Sequence, residues 1–273
     1  MLLIRNITSL GQKEAKLLIN LRAQGKLVFS FKDAQGALGD SSKRVGQLIY
    51  ALVKKRWLER LEKGKYLILP FEAGEERAYT AHEFVIAANL TSPYYIGFRS
   101  ALNFYGSTEQ VSRTVYVATL RQKKELKVGG AVFRFVKVPE KKHFGVTQVT
   151  LQEEKVNISD LEKTIIDCLD HPEYAGGLTE VAKAIWFGRE DLDLSKLVAY
   201  AEKFGEKALA QRLGFLLEFL EVADENILKR LAQLTGKAYV KLDLMGGEEG
   251  KYLAKWRLKV NLSKEALTEW QRY

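Results

Sequence analysis

Cysteine is almost absent: the 273 residues contain one, Cys168. A lone cysteine excludes an internal disulfide and any zinc site built on paired cysteines. Histidine is scarce too. His82, His143 and His171 lie far apart, and none has a second ligand at metal spacing. No apolar run reaches the ~18–20 residues that span a bilayer. The opening MLLIRNITSL meets Arg5 after four residues and carries no small-residue cleavage site, so it does not read as a secretory signal. The expectation is a cytoplasmic protein without membrane contact. Few Met and Pro beside many Lys, Glu and Arg would suit a thermophile.

Catalytic signatures are missing as well. The chain has no G-x-S-x-G elbow and no P-loop. Gly246-Gly247-Glu248-Glu249-Gly250 lacks the Lys-Ser/Thr of a phosphate cradle. Cys168 sits among Ile165, Ile166 and Leu169 with no histidine at helical reach, the setting of an inert core thiol. Asp167 and Asp170, three apart, can pair as carboxylates or face solvent. No catalytic residue, cofactor or metal site is expected. A nuclease of clustered carboxylates and a lysine is the enzymatic alternative.

What the chain does have is a lopsided charge. Residues 1–70 hold 14 Lys+Arg against 5 Asp+Glu, and the remaining 203 residues hold 29 of each. The whole surplus of +9 therefore lies in the first quarter. There Gln12–Ala23 has helical apolar spacing with Gly25 as its stop. Leu27-Val28-Phe29 is extended, and Phe31–Leu38 is a short helix ended by Gly39. Ser41 and Ser42 are N-cap candidates for a third helix running to about Arg56. Its apolar stripe is Val45, Leu48, Ile49, Leu52 and Val53. Trp57–Leu61 and Tyr66–Leu69 are β-prone, and Gly64 supplies a turn between them.

Helix, helix, helix and basic hairpin is the order of a winged helix-turn-helix, and a basic surface of that shape suits duplex DNA. The candidate DNA-binding residues are Ser41, Ser42, Lys43, Arg44, Gln47, Tyr50, Lys54, Lys55, Arg60, Lys63 and Lys65. Ser42, Arg44 and Gln47 would read bases, because Arg pairs with guanine, Gln with adenine, and Ser with either. The lysines would meet phosphate. Lys54, Lys55 and Arg56 also complement the helix dipole. The same architecture serves modules that bind protein or RNA without operator specificity.

Phe71–Arg77 is acidic and reads as a linker, dividing domains at 1–70 and 78–273, with a further subdivision near 223. Beyond it the pattern mixes helices (81–90, 96–105, 161–169, 178–186, 195–204, 206–220, 224–234 and a last one near Ser263) with strands (114–119, 131–138, 145–151, 239–244, 256–260). Ser159-Asp160-Leu161-Glu162 reads as a capping box. The fold class expected is α+β: a winged helix, then a mixed α/β domain with a helix-rich C-terminal part. Arg113, Arg121, Lys123, Lys124 and Lys127 form a second basic stretch, either a contact surface or a solvated strand edge. Lys229–Arg272 is also basic, with ten Lys+Arg against five acids.

Two segments carry a resemblance. Tyr95-Ile96-Gly97-Phe98-Arg99-Ser100-Ala101-Leu102-Asn103-Phe104-Tyr105-Gly106, followed by Val115–Thr119, is similar to the AbiEi family of antitoxins. So is Val156-Asn157-Ile158-Ser159-Asp160-Leu161-Glu162-Lys163-Thr164-Ile165-Ile166-Asp167-Cys168-Leu169. The similarity spans roughly residues 10–220. It implies a transcriptional regulator that represses its own toxin–antitoxin operon through the winged helix. It also implies a functional partner, a nucleotidyltransferase-like toxin countered by the C-terminal domain, in phage defence or growth arrest. Whether the two form a stable complex is left open, and the family brings no catalytic residues. Homodimers on an inverted repeat are the expected binding state.

Overall fold

The computed structural model describes residues 10–69, 82–107, 112–128 and 130–272. The chain is a mixed α+β protein with twelve α-helices and three sheets among those residues. It divides into two compact units, Met1–Thr91 with Thr150–Lys155, and Ser92–Val149 with Val156–Tyr273. The expected linker at 71–77 lies outside the described residues.

In the first unit, α1 (Gln12–Ala23), β1 (Val28–Ser30), α2 (Phe31–Leu38) and α3 (Ser42–Lys54) precede a hairpin of β2 (Leu58–Glu62) and β3 (Lys65–Ile68). Helix α4 (Glu83–Ala88) follows. Ser30 starts α2 by a reciprocal cap: its hydroxyl accepts the Asp33 N–H at 3.2 Å, and Asp33 accepts the Ser30 N–H at 2.7 Å. Gly39 ends α2 in the left-handed region, φ 66°, and turns the chain into α3. Periodicity then decides what is buried. Val45, Ile49 and Leu52 of α3 close on Leu17 and Leu21 of α1, Ala34 of α2, and Phe29, Trp57, Leu58 and Ile68 of the sheet. The extended piece before α2 is the third strand. It pairs antiparallel with β3, Phe29 opposite Tyr66, giving the order β1-β3-β2.

The second unit is built on a six-stranded sheet. Its strands are β4 (Tyr94–Ile96), β5 (Thr114–Thr119), β6 (Leu126–Val128), β7 (Ala131–Lys137), β8 (Val146–Leu151) and β9 (Glu154–Ser159), in the order β6-β7-β5-β4-β9-β8. Strands β5 and β7 run parallel from Thr114 opposite Val132 to Thr119 opposite Lys137, and β4 runs parallel to β9. Helices α5 (Phe98–Phe104), α6 (Leu161–Asp170), α7 (Pro172–Ala175), α8 (Leu178–Phe187), α9 (Leu194–Phe204), α10 (Lys207–Phe219) and α11 (Glu225–Gln233) complete its core. At its centre is α6, whose Ile165, Ile166, Cys168 and Leu169 are fully buried against α5, α8, α9 and α10. A three-stranded sheet of β10 (Val240–Lys241), β11 (Lys251–Leu253) and β12 (Leu258–Val260), then α12 (Lys264–Leu267), ends the unit.

Three expectations need correction. The helix expected from Ile96 begins at Phe98, because Tyr94–Ile96 pairs with β5 and β9 as an inner strand, and Tyr95 and Ile96 are wholly buried. A short apolar run does not distinguish such a strand from a helix. The box at Ser159–Glu162 is not the cap. Asp160 caps α6 by accepting the Lys163 N–H at 2.8 Å, while Ser159 stays in β9 and Glu162 reaches Lys196 instead. The strands expected at Tyr239–Leu244 and Trp256–Val260 shorten to Val240–Lys241 and Leu258–Val260.

The C-terminal sheet is held to α10. Gln211 donates to the carbonyls of Trp256 and Arg257 at 3.1 and 2.8 Å, and the Trp256 ring lies on Gly214 where a Cβ would sit 2.1 Å from it. No described helix is long and apolar enough to cross a membrane.

Candidate nucleic-acid interface

The apolar stripe of α3 faces the core, so its opposite face is determined. Ser41, Ser42, Lys43, Arg44, Gln47, Tyr50 and Lys54 are all exposed, Tyr50 to 72%. Lys43, Gln47, Tyr50 and Lys54 fall at i, i+4, i+7 and i+11 and form one outward row. At the head of the helix the Ser41 side chain makes no capping hydrogen bond, so first-turn amides remain open to an anion. Gln35 of α2 donates to the Ser42 hydroxyl at 3.2 Å and ties α2 to that end. No linear pattern marks Gln35, seven residues upstream.

The hairpin presents its own cation. Gly64, at φ 78°, makes the tight turn, and Lys63 beside it is exposed. Arg60 is exposed on β2, where the register shifts between Arg60 and Glu62. Among the described residues, Lys43, Lys54 and Lys63 enter no ion pair.

Not every candidate belongs to this surface. The Lys55 ammonium turns inward to Glu14 at 2.7 Å, at 25% side-chain exposure. Burial alone would raise the Glu14 carboxyl, but Lys55 and the Gly11 N–H outweigh it and hold it below the ordinary value. Lys65 pairs with Glu62 at 3.2 Å and donates to the Asn89 carbonyl at 2.6 Å. Arg44 is exposed yet rests 3.3 Å from Asp40, which Lys13 also approaches at 3.4 Å. A linear pattern registers a lysine but not the carboxylate that folding brings to it.

The second basic stretch lies along the sheet margin of the other unit. Arg113, Arg121, Lys124 and Lys127 are exposed, and β6 is an edge strand. Lysine on an edge also blocks unwanted strand pairing. Lys123 covers the Phe135 ring at 5.2 Å.

The polar centre of the second unit is closed. Lys163 is fully buried and pairs with Asp167. It also donates to the Tyr95 hydroxyl at 3.1 Å, which in turn donates to Asp167 at 2.9 Å. Rings of Tyr95, Phe144 and Phe204 surround the ammonium at 5.1–5.6 Å. Burial raises the Asp167 carboxyl against the pull of Lys163, and pushes the Tyr95 and Cys168 groups well up. Asp167 and Asp170 do not pair, since Asp170 faces Lys142 at 2.9 Å. Beside this centre a crevice of about 650 Å³ is lined by Tyr105, Asp160, Glu162, Asp191 and Lys196, among others. Lys196 neutralises Asp160 and Glu162 at 3.1 and 2.8 Å. Tyr105 is pushed up to about 12 by burial and by those carboxylates. No group of three or more His, Cys, Asp or Glu among the described residues can hold a metal ion.

The segments Tyr95–Gly106 and Val156–Leu169 meet at this centre. Tyr95 reaches Asp167, the Tyr105 hydroxyl donates to the Ser159 carbonyl at 2.9 Å, and the Ser159 hydroxyl donates to the Ile96 carbonyl at 3.3 Å. These side chains join β4 and α5 to β9 and α6.

No protein-family model matches the chain, and no curated protein matches it in sequence. Among solved structures it is similar to the crystal structure of the RV2827C protein from Mycobacterium tuberculosis. That likeness covers 97% of this chain and 96% of the other, with a TM-score of 0.66 and 12% identity, and is a likeness of fold.

Proposed function

We propose that the chain is a DNA-binding antitoxin of the AbiEi type. Its first unit acts as a winged helix-turn-helix that represses its own operon, and its second unit counters a nucleotidyltransferase-like toxin. The observation that carries the DNA reading is the outward row Lys43, Gln47, Tyr50 and Lys54 on α3, with unpaired Lys63 at the tip of the neighbouring hairpin. In this reading α2, the turn Gly39-Asp40-Ser41 and α3 are the helix-turn-helix, and β2–β3 is the wing. The first half of α3 enters the major groove, where Ser42 and Gln47 meet base edges. Arg44 joins them by exchanging Asp40 for a guanine. Lys43, Lys54 and Lys63 meet phosphate, and each phosphate neutralised steepens the salt dependence by about 0.9 in log–log slope. The toxin reading rests on the family resemblance of the second unit.

Titration of labelled duplex from the chain's own upstream region, against unrelated duplex at two salt concentrations, tests the first half. Selective binding that weakens steeply with salt supports it. Absence of selectivity removes it and leaves a protein- or RNA-binding module. Co-expression with a nucleotidyltransferase encoded beside it tests the second half, with restored growth as the expected result.

A further inference from the structure

The C-terminal sheet has two unlike faces. Val240, Leu253, Leu258 and Val260 point inward, with Leu258 wholly buried and the other three packed on the core of the second unit. The alternate residues point out. The register aligns Lys241 of β10, Lys259 of β12 and Tyr252 of β11 in one row across all three strands. Tyr252 is 67% exposed, and its ring meets that of Tyr239, itself 43% exposed, edge-to-face at 5.1 Å. Lys259 lies over the Tyr252 ring at 5.9 Å. Glu248 occupies Lys241, but Lys251, Arg257 and Lys259 have no ion-pair partner among the described residues. On the inward side of β11 an apolar crevice of about 330 Å³ opens between Phe215, Phe219, Leu253 and Val260, and Lys251, opposite Val260, stands at its rim.

From this juxtaposition we infer that the outer face of the C-terminal sheet docks single-stranded RNA. Unstacked bases find flat π surfaces in Tyr239 and Tyr252. The phosphates between bases find Arg257 and Lys259. Aromatic platforms with cations at their rim favour single strands, because every base has a π face while a duplex keeps its faces covered. RNA offers such bases without a duplex having to open. A merely solvated face would need the cations but not two exposed tyrosines. The inference is independent of operator binding, which concerns the other unit.

The test is fluorescence anisotropy of a labelled oligo(U) 20-mer with the full-length chain at low and moderate salt. The expected result is salt-sensitive binding that weakens at least tenfold in Tyr239→Ala/Tyr252→Ala. Tyr239→Phe/Tyr252→Phe, which keeps both rings, binds like the parent. Lys43→Ala/Lys63→Ala, which removes two outward cations of the first unit, also leaves RNA binding unchanged. Both tyrosines are exposed, so the melting temperature of each variant serves as a fold control. The inference fails if oligo(U) does not bind, if the double alanine variant binds as well as the parent, or if binding is lost only in the Lys43/Lys63 variant. It also fails if polyglutamate displaces the RNA while the tyrosine variants are unaffected, which marks the face as a docking site for an acidic protein.

Discussion

The candidate interface of the first unit and the polar centre of the second use cations in opposite ways. In the first, Lys43, Lys54 and Lys63 stand in solvent without a carboxylate partner among the described residues. In the second, Lys163, Lys142 and Lys196 are consumed by Asp167, Asp170 and the Asp160–Glu162 pair. The same side chain is solvated and open to an anion in one setting and a structural part in the other. Solvation separates the roles. An exposed unpaired ammonium is available to an external anion, whereas a buried one must be matched internally or lose several kcal/mol of hydration.

The contrast can be broken most severely at Lys163. Lys163→Met leaves Asp167 buried without its cation and should destabilise the second unit by about 3–5 kcal/mol in urea unfolding. Lys163→Met/Asp167→Leu should recover much of that loss, since a matched apolar pair carries no orphaned charge. Equal stability of the single variant and the parent would contradict the structural role assigned to this pair.

On the binding side, Gln47→Ala should cost about 1–3 kcal/mol at the operator and relax discrimination at one base pair, read by competition titration. Unchanged affinity and selectivity would mean that α3 is not the reading helix.

Lys55 sharpens the comparison because it is a first-unit lysine behaving like a second-unit one. Lys55→Met should lower stability by about 1–2 kcal/mol, yet leave operator affinity unchanged. The pH dependence has a definite sign. The Glu14 pKa is depressed on folding, so its contribution is complete at neutral pH and is lost as pH falls through the folded value. Acid unfolding should therefore be shallower in Lys55→Met.

Lys63→Ala should weaken specific and unrelated duplex alike and reduce the salt slope by about 1. The smallest effect is expected at the β6 margin: Arg121→Ala/Lys124→Ala should leave operator affinity as it was.

Much of the first unit is legible in the linear pattern. Helix α1 is read from its period and its glycine stop, α2 from Ser30 and Gly39, and α3 from five apolar residues at helical spacing. The pairing of β1 with β3 is not legible, because three extended residues carry no sign of their partner. Ile96 reads as the start of a helix until β5 and β9 flank Tyr94–Ile96, and β6 and β11 are too short to show a period. The candidate interface divides in the same manner. Exposure along α3 follows from the burial of its other face, while the diversion of Lys55 to Glu14 joins residues 41 apart.

The sequence by itself determined the concentration of positive charge in residues 1–70, the helical faces and the capping residues, because these depend on neighbours within a turn or two. Only the tertiary structure decided which lysines remain available. An ion pair depends on distance in space, and the carboxylates that silence Lys55, Lys142 and Lys196 arrive from 41, 28 and 34 residues away.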